Sequence, residues 1–147
     1  MLEEILKEKT SADHLLYVSL KYTKTCDVIL NLIARWKSMI EMCFDEILIG
    51  AKKSKKIPST PDSPKQKIEF MRTYFKKHSA IQEAIPIYIF FKRIPELSKK
   101  REGEFRKNVN LKIIEANGKI IEINMDKLKE YSEILERFIS EVKYILQ

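Results

Sequence analysis

The chain has little glycine, cysteine, histidine or tryptophan, and each shortage excludes a class of site. With three glycines among 147 residues, it has no glycine-rich loop to cradle phosphates and no Gly-x-Ser-x-Gly nucleophile elbow. Its longest apolar run, residues 85–91, is far too short to span a bilayer. The two cysteines, Cys26 and Cys43, and the two histidines lack the close spacing of a zinc site, so neither a metal nor a cofactor is expected.

The N-terminal segment, residues 1–5, is acidic and amphipathic. It lacks the basic start, the apolar stretch and the small-residue cleavage site of a secretory signal. A cytoplasmic location is therefore expected, without a membrane partner, and the cysteines are expected to be buried free thiols.

The chain has an excess of positive charge. It carries 28 lysines and arginines against 21 aspartates and glutamates, a net charge of +7 at pH 7. This balance favours an anionic partner, with RNA the first candidate. A solvated lysine-rich surface with no partner is the alternative, since a composition rich in Ile, Lys and Glu is typical of heat-adapted proteins. The length and the 44% hydrophobic content indicate a single domain, residues 1–147.

Apolar residues at helical spacing predict the first half of the fold. Thr10 to Asp13 has the form of a capping box, so a helix is expected to start at Ser11 or Ala12. A kink or short turn is expected near Thr25, where β-branched and cap-forming residues interrupt the pattern. The stripe continues to about Gly50, and its members recur about every seven residues: Leu15, Tyr22, Ile29, Trp36 and Cys43, with Val18, Ile33, Ile40 and Ile47.

Breaker residues divide the second half. Residues 52–62 combine a basic run with two prolines and are expected to form a mobile loop. Ser63 as a cap with proline after it predicts the next helix start. His78 is expected between two helices, and breaks or kinks are expected before Pro86 and Pro95, with a basic helical stretch after the latter.

The dipeptide Asn117-Gly118 lies between two apolar runs and predicts a β-hairpin over about residues 109–125. A two-residue loop would pair Ile114 with Ile121. The predicted fold class is therefore mainly α, a bundle of five to six helices with one hairpin before an amphipathic C-terminal helix. The side of the hairpin expected to pack on the helices carries Ile114, Ile121, Ile123 and Met125.

Basic residues fall in several short clusters along the chain. If the fold brings them together, they form one positive face that contacts phosphates without reading sequence, and Tyr74 or Phe105 would stack bases. The alternative is a dispersed, solvated set of charges. The candidate polyanion-binding residues are Lys52, Lys53, Lys55, Lys56, Lys76, Lys77, Lys99, Lys100, Arg101 and Arg106.

The segment from Arg72 to His78 offers a candidate catalytic pair. A histidine can move a proton at an RNA 2′-hydroxyl, and an arginine can stabilise phosphate charge. The Arg-x5-His spacing resembles the motif of HEPN-family ribonucleases, which are small helical bundles. The resemblance implies metal-independent RNA cleavage by Arg72 and His78 at a dimer cleft. The alternative is an exposed arginine and a helix-terminal histidine.

Two further hypotheses remain open. Asp13, His14 and Tyr17 form a candidate polar patch beside the apolar stripe, in which Asp13 and His14 are acid or base candidates; alternatively, Asp13 only caps a helix. A homodimer in which the stripe with Trp36 pairs with a second copy would make the chain a structural assembly module. RNA or polyanion binding without catalysis is the favoured function.

Overall fold

The computed structural model describes residues 2–147. It is mainly helical, as predicted, and a small antiparallel sheet precedes the last helix. The first helix consists of α1 (Leu2–His14), a π-helical segment (Leu15–Ser19) and α2 (Leu20–Tyr22). The remaining elements are α3 (Cys26–Lys53), α4 (Pro64–Tyr74), α5 (Ser79–Arg93), a 3₁₀ turn (Ile94–Glu96), β1 (Ser98–Glu102), β2 (Asn110–Ile114), β3 (Ile120–Asn124) and α6 (Met125–Leu146).

Helix α3 is the central element of the core. Its Trp36 ring stacks on Phe91 of α5, with centroids 6.0 Å apart, and meets the edge of Tyr131 of α6 at 6.3 Å. The predicted stripe is confirmed along α3, but two of its earlier members, Val18 and Tyr22, are exposed. Tyr22 leaves the stripe because the π-helical segment before it changes the rotation per residue and the helix then ends. The buried members on α3 are Ile29, Ile33, Trp36, Ile40, Cys43 and Ile47.

The predicted start of the first helix is wrong, whereas the break near Thr25 is confirmed. The Thr10 hydroxyl donates to the Leu6 carbonyl at 2.9 Å, so it lies inside α1 and caps nothing. At the break, Thr25 Oγ1 accepts the Val28 N–H at 3.3 Å and caps α3. A threonine at the edge of an apolar stripe can either cap a helix or lie inside one. Thr10 lies inside α1 because the residues before it are good helix formers.

Three of the four predicted helix boundaries in the second half are confirmed. Ser63 Oγ accepts the Gln66 N–H at 3.2 Å and starts α4, His78 lies between α4 and α5, and α5 ends before Pro95. Pro86 was expected to interrupt α5 but lies inside it. Its ring is exposed, so water can solvate the backbone groups that lose a hydrogen bond.

The predicted hairpin is part of a three-stranded sheet in the order β1-β2-β3. Residues 98–102 were expected to be helical, and they form the edge strand β1 instead. Pairing with β2, in which Lys100 lies opposite Lys112, decides the conformation of a segment whose own residues favour helix.

The Asn117-Gly118 turn is confirmed, but its register differs by one residue from the prediction. The Gly118 N–H donates to the Glu115 carbonyl at 2.9 Å, and Gly118 has φ +86°, which gives a three-residue loop. Ile113, rather than Ile114, therefore pairs with Ile121. A shift of one residue exchanges the faces of a strand, so the buried residues of β2 are Leu111 and Ile113.

The C-terminal helix α6 forms as predicted. Asn124 Oδ1 accepts the Lys127 N–H at 2.9 Å and caps it. Within residues 2–147, no helix combines the length and the apolarity needed to cross a membrane. The buried face of α6 carries Leu128, Tyr131, Leu135, Phe138 and Val142.

Candidate polyanion-binding surface

The structure brings together two of the predicted basic clusters at one end of α3. Lys52 and Lys53 lie in its last turn, and the end of α4 lies beside them. A groove of about 340 Å³ joins the two helix ends, and α6 contributes its last residues to the lining. Lys56, Tyr74 and Phe75 line this groove, and the second cluster follows Phe75 directly. We call the set Lys52, Lys53, Lys55, Lys56, Lys76 and Lys77 the lysine-rich end.

The six side chains of the lysine-rich end are exposed. Within the described residues, none of them has a carboxylate at ion-pair distance. Unpaired ammonium groups at this density repel one another, while the negative ends of the α3 and α4 dipoles offset only part of that repulsion. The surface therefore has charge available for an anionic ligand.

The backbone after α3 is held in one turn. The Lys56 N–H donates to the Ala51 carbonyl at 2.9 Å and the Lys55 N–H donates to the Lys52 carbonyl at 3.0 Å, the two bonds of a Schellman motif. Lys55 has φ +61° at the position where glycine is usual. The turn thus directs lysines outward at a helix end where a glycine would have been easier to accommodate.

One aromatic and one basic side chain, Tyr74 and Lys143, extend this surface. Tyr74 is 55% exposed, and its ring stacks on Phe70 with centroids 4.4 Å apart. Lys143 lies in the last turn of α6, whose next residues line the groove. Lys143 was not among the residues predicted from the sequence, although a lysine in the last turn of a strongly amphipathic helix is a signal for a charged helix end.

The other predicted basic residues lie elsewhere, on or after β1, and most of their charge is offset. The Lys99 ammonium donates to the Leu97 carbonyl at 2.9 Å, and Lys100 lies 3.6 Å from Glu102. Arg101 lies 2.7 Å from Asp27, which raises the pKa of the guanidinium. In the described part of the chain, Lys99 has only carbonyl partners and the Arg106 side chain has no acidic partner. The single positive face expected from the sequence is thus divided between distant places.

Arg72 and His78 contact different groups. The Arg72 guanidinium donates to Glu69 at 2.9 Å and lines a cavity of about 400 Å³ between α4 and α5. His78 lies at the start of α5, where its Nδ1 pairs with Glu141 of α6 and its ring meets the edge of Phe75. His78 therefore links α5 to α6, and it does not line the cavity that Arg72 lines.

The polar patch also divides. Asp13 accepts from Lys9 at 2.8 Å, and the Lys9 ammonium reaches Glu136 of α6 at 2.6 Å, so Asp13 belongs to a link between α1 and α6. His14 and Tyr17 are exposed on the first helix. Trp36, expected at a dimer contact, is instead buried within one chain.

No protein-family model, curated protein or solved structure matches the chain.

Proposed function

We propose that the chain binds RNA or another polyanion through the lysine-rich end. The observation that carries the proposal is the absence of acidic partners for the lysines of this end. Lys9 on α1 and Arg101 and Lys112 in the sheet have carboxylate partners, whereas six exposed lysines clustered at one end of α3 have no acidic partner among residues 2–147. Charge without local compensation is what a phosphate backbone neutralises on binding.

The chemistry of these side chains defines the mode of binding. Lysine ammonium groups are compact point charges on flexible stems, so they follow a phosphate backbone without fixing its register. Tyr74, held by its stacking on Phe70, offers a ring to an unpaired base. Binding is therefore sequence-independent, and its affinity depends strongly on salt.

The test removes three charges and keeps long polar side chains at the three positions. A Lys53→Gln, Lys56→Gln and Lys77→Gln variant should bind a fluorescein-labelled single-stranded RNA of mixed sequence about a hundredfold more weakly at low salt, as the loss of three phosphate contacts implies. The matched control replaces three exposed lysines that lie elsewhere and also lack an acidic partner in the described chain, Lys7, Lys119 and Lys129. It should bind within a fewfold of the parent.

Equal losses in the two variants would contradict the proposal, because net charge alone would then explain binding. The absence of any RNA or heparin binding by the parent would also contradict it. Recovery of a shortened probe with the parent, and of intact probe with His78→Ala, would support the ribonuclease hypothesis in its place.

A further inference from the structure

Two of the most exposed aromatic side chains lie at the opposite end of α3. Tyr22, which ends α2, is 78% exposed, and Phe105, in the loop between β1 and β2, is 74% exposed. The two segments are in direct contact, since the Phe105 N–H donates to the Lys24 carbonyl at 2.7 Å. Because α3 has 28 residues and is about 40 Å long, this place is far from the lysine-rich end.

The loop that carries Phe105 is held by several polar contacts. The Glu104 carboxylate accepts the Cys26 N–H at 3.3 Å and so caps α3. Gly103 has φ +64°, and a Cβ there would lie 2.6 Å from the Asn108 carbonyl oxygen. The loop therefore has little freedom, and the position of the Phe105 ring is set before any ligand arrives.

Phe105 occupies a backbone conformation that suits a glycine. Its φ is +66°, in the left-handed region that a phenylalanine rarely adopts. Its ring is mostly in solvent, so the strain is not offset by burial in the core. A strained backbone that presents an apolar ring to water indicates a ring used for contact with a partner.

Basic residues adjoin both aromatic residues in the chain, Lys21 before Tyr22 and Arg106 after Phe105. The Lys21 ammonium lies 5.8 Å from the centroid of the Tyr22 ring, and the Lys24 ammonium donates to the Lys21 carbonyl at 2.7 Å. Neither lysine has a carboxylate partner in the part of the chain that the structure describes, and the same holds for Arg106 and Lys107. The nearby acids are engaged, since Asp27 pairs with Arg101 and Glu104 caps α3.

We propose that this aromatic junction, formed by Tyr22, Phe105, Lys21, Lys24 and Arg106, stacks unpaired bases of a single-stranded nucleic acid and contacts the adjacent phosphates. Every base offers a flat π-face to a ring, and the flanking cations can pair with the phosphates of a flexible strand. A duplex does not offer its base faces, and an acidic peptide satisfies the cations but leaves the rings in water. The aromatic junction is independent of the lysine-rich end.

The test separates bases from phosphates with two probes of equal length, a single-stranded oligouridylate and an abasic oligonucleotide. Phe105→Gly should weaken binding of the oligouridylate about tenfold or more, as expected for the loss of one stacked base, and leave binding of the abasic strand unchanged. The same variant should be at least as stable as the parent in urea, because glycine relieves the backbone strain. Tyr22→Ala should give the same selective loss.

The matched control is Tyr144→Ala, which removes a ring that is 77% exposed on α6. Binding of both probes should change less than about twofold, far below the effect of a stacked ring. Unchanged oligouridylate binding by Phe105→Gly, or an equal loss for both probes, would overturn the proposal. The lysine-rich end predicts a different pattern, since loss of its charges weakens both probes alike, so failure of either proposal is distinguishable from failure of the other.

Discussion

The two ends of α3 are both basic, but they hold their charge in different ways. At the N-terminal end, the acids are engaged, since Asp27 pairs with Arg101 and Glu104 caps the helix, while Lys21, Lys24, Arg106 and Lys107 lack acidic partners within the described residues. At the C-terminal end, a Schellman turn presents lysines with no carboxylate partner within residues 2–147. The net charge of +7 is therefore a poor guide to binding, because what matters is where the charge is not offset.

The largest expected difference between the ends comes from their glycines. Gly103→Ala should lower the free energy of unfolding by about 2–3 kcal/mol, because the new Cβ meets the backbone of Asn108 in a left-handed conformation. Gly50→Ala, in the exposed last part of α3 with no atom near the added Cβ, should raise it by about 0.5–1 kcal/mol. Urea denaturation of both variants measures the contrast. A stable Gly103→Ala variant would show that the loop is not held as described.

The carboxylate cap is the next feature to test. Glu104→Gln keeps the shape of the side chain but removes the charge that faces the Cys26 N–H and the positive end of the α3 dipole. A loss of about 1 kcal/mol is expected in urea denaturation. Ser63→Ala is the matched cap variant, since it removes a neutral cap from α4. A decrease in the free energy of unfolding of less than about 0.3 kcal/mol for Glu104→Gln would mean that the carboxylate cap does not hold the loop at the N-terminal end of α3.

At the lysine-rich end, stability and binding should move in opposite directions. Lys55→Gly relieves the φ of +61° and should raise the free energy of unfolding by up to about 1 kcal/mol. The same change removes one cation, and affinity for RNA should fall about fivefold at low salt. Titration of a labelled RNA alongside urea denaturation checks both effects. An unchanged affinity would place Lys55 outside the binding surface.

The smallest expected difference is in the reactivity of the two thiols, Cys26 at the N-terminal end of α3 and Cys43 nearer its middle. Burial, with the neighbouring Glu104, raises the pKa of Cys26 to about 11, and burial raises the pKa of Cys43 to about 12. The pKa of each thiol is higher in the folded chain than in the unfolded chain, where it is near 8.5. The resulting stabilisation is therefore fully present below about pH 8.5 and is lost as the pH rises toward the pKa values of the folded chain. A thiol reagent at pH 8 should therefore label neither cysteine until urea unfolds the chain. Rapid labelling of the native protein would contradict their burial.

The sequence predicted the starts of α3 and α4 and the whole of α6 because their signals are local. The caps at Thr25 and Ser63 and the amphipathic pattern of α6 depend on residues within one or two turns. The strand β1 could not be predicted, since lysine, arginine and glutamate favour helix and only pairing with β2 makes the segment extended. The hairpin register depended on one residue of loop length, which Asn117-Gly118 does not specify.

The candidate sites were predicted only in part, for a related reason. A basic residue can be read from the sequence, whereas its carboxylate partner is known only from the fold, as for Arg101 and Asp27. The junction of Tyr22 with Phe105 joins segments 83 residues apart in the chain, and no local pattern predicts it. The positive φ of Phe105 also depends on the contact with Lys24.

The salt dependence of RNA affinity tests the central claim most directly. The logarithm of the association constant should fall linearly with the logarithm of the salt concentration, with a slope of about −0.7 for each phosphate contacted. The variant with Lys53, Lys56 and Lys77 changed to glutamine should reduce the magnitude of that slope by about 2, and the variant with Lys7, Lys119 and Lys129 changed should leave it within about 0.5. An equal reduction in both variants, or a parent affinity that does not respond to salt, would contradict binding through the lysine-rich end.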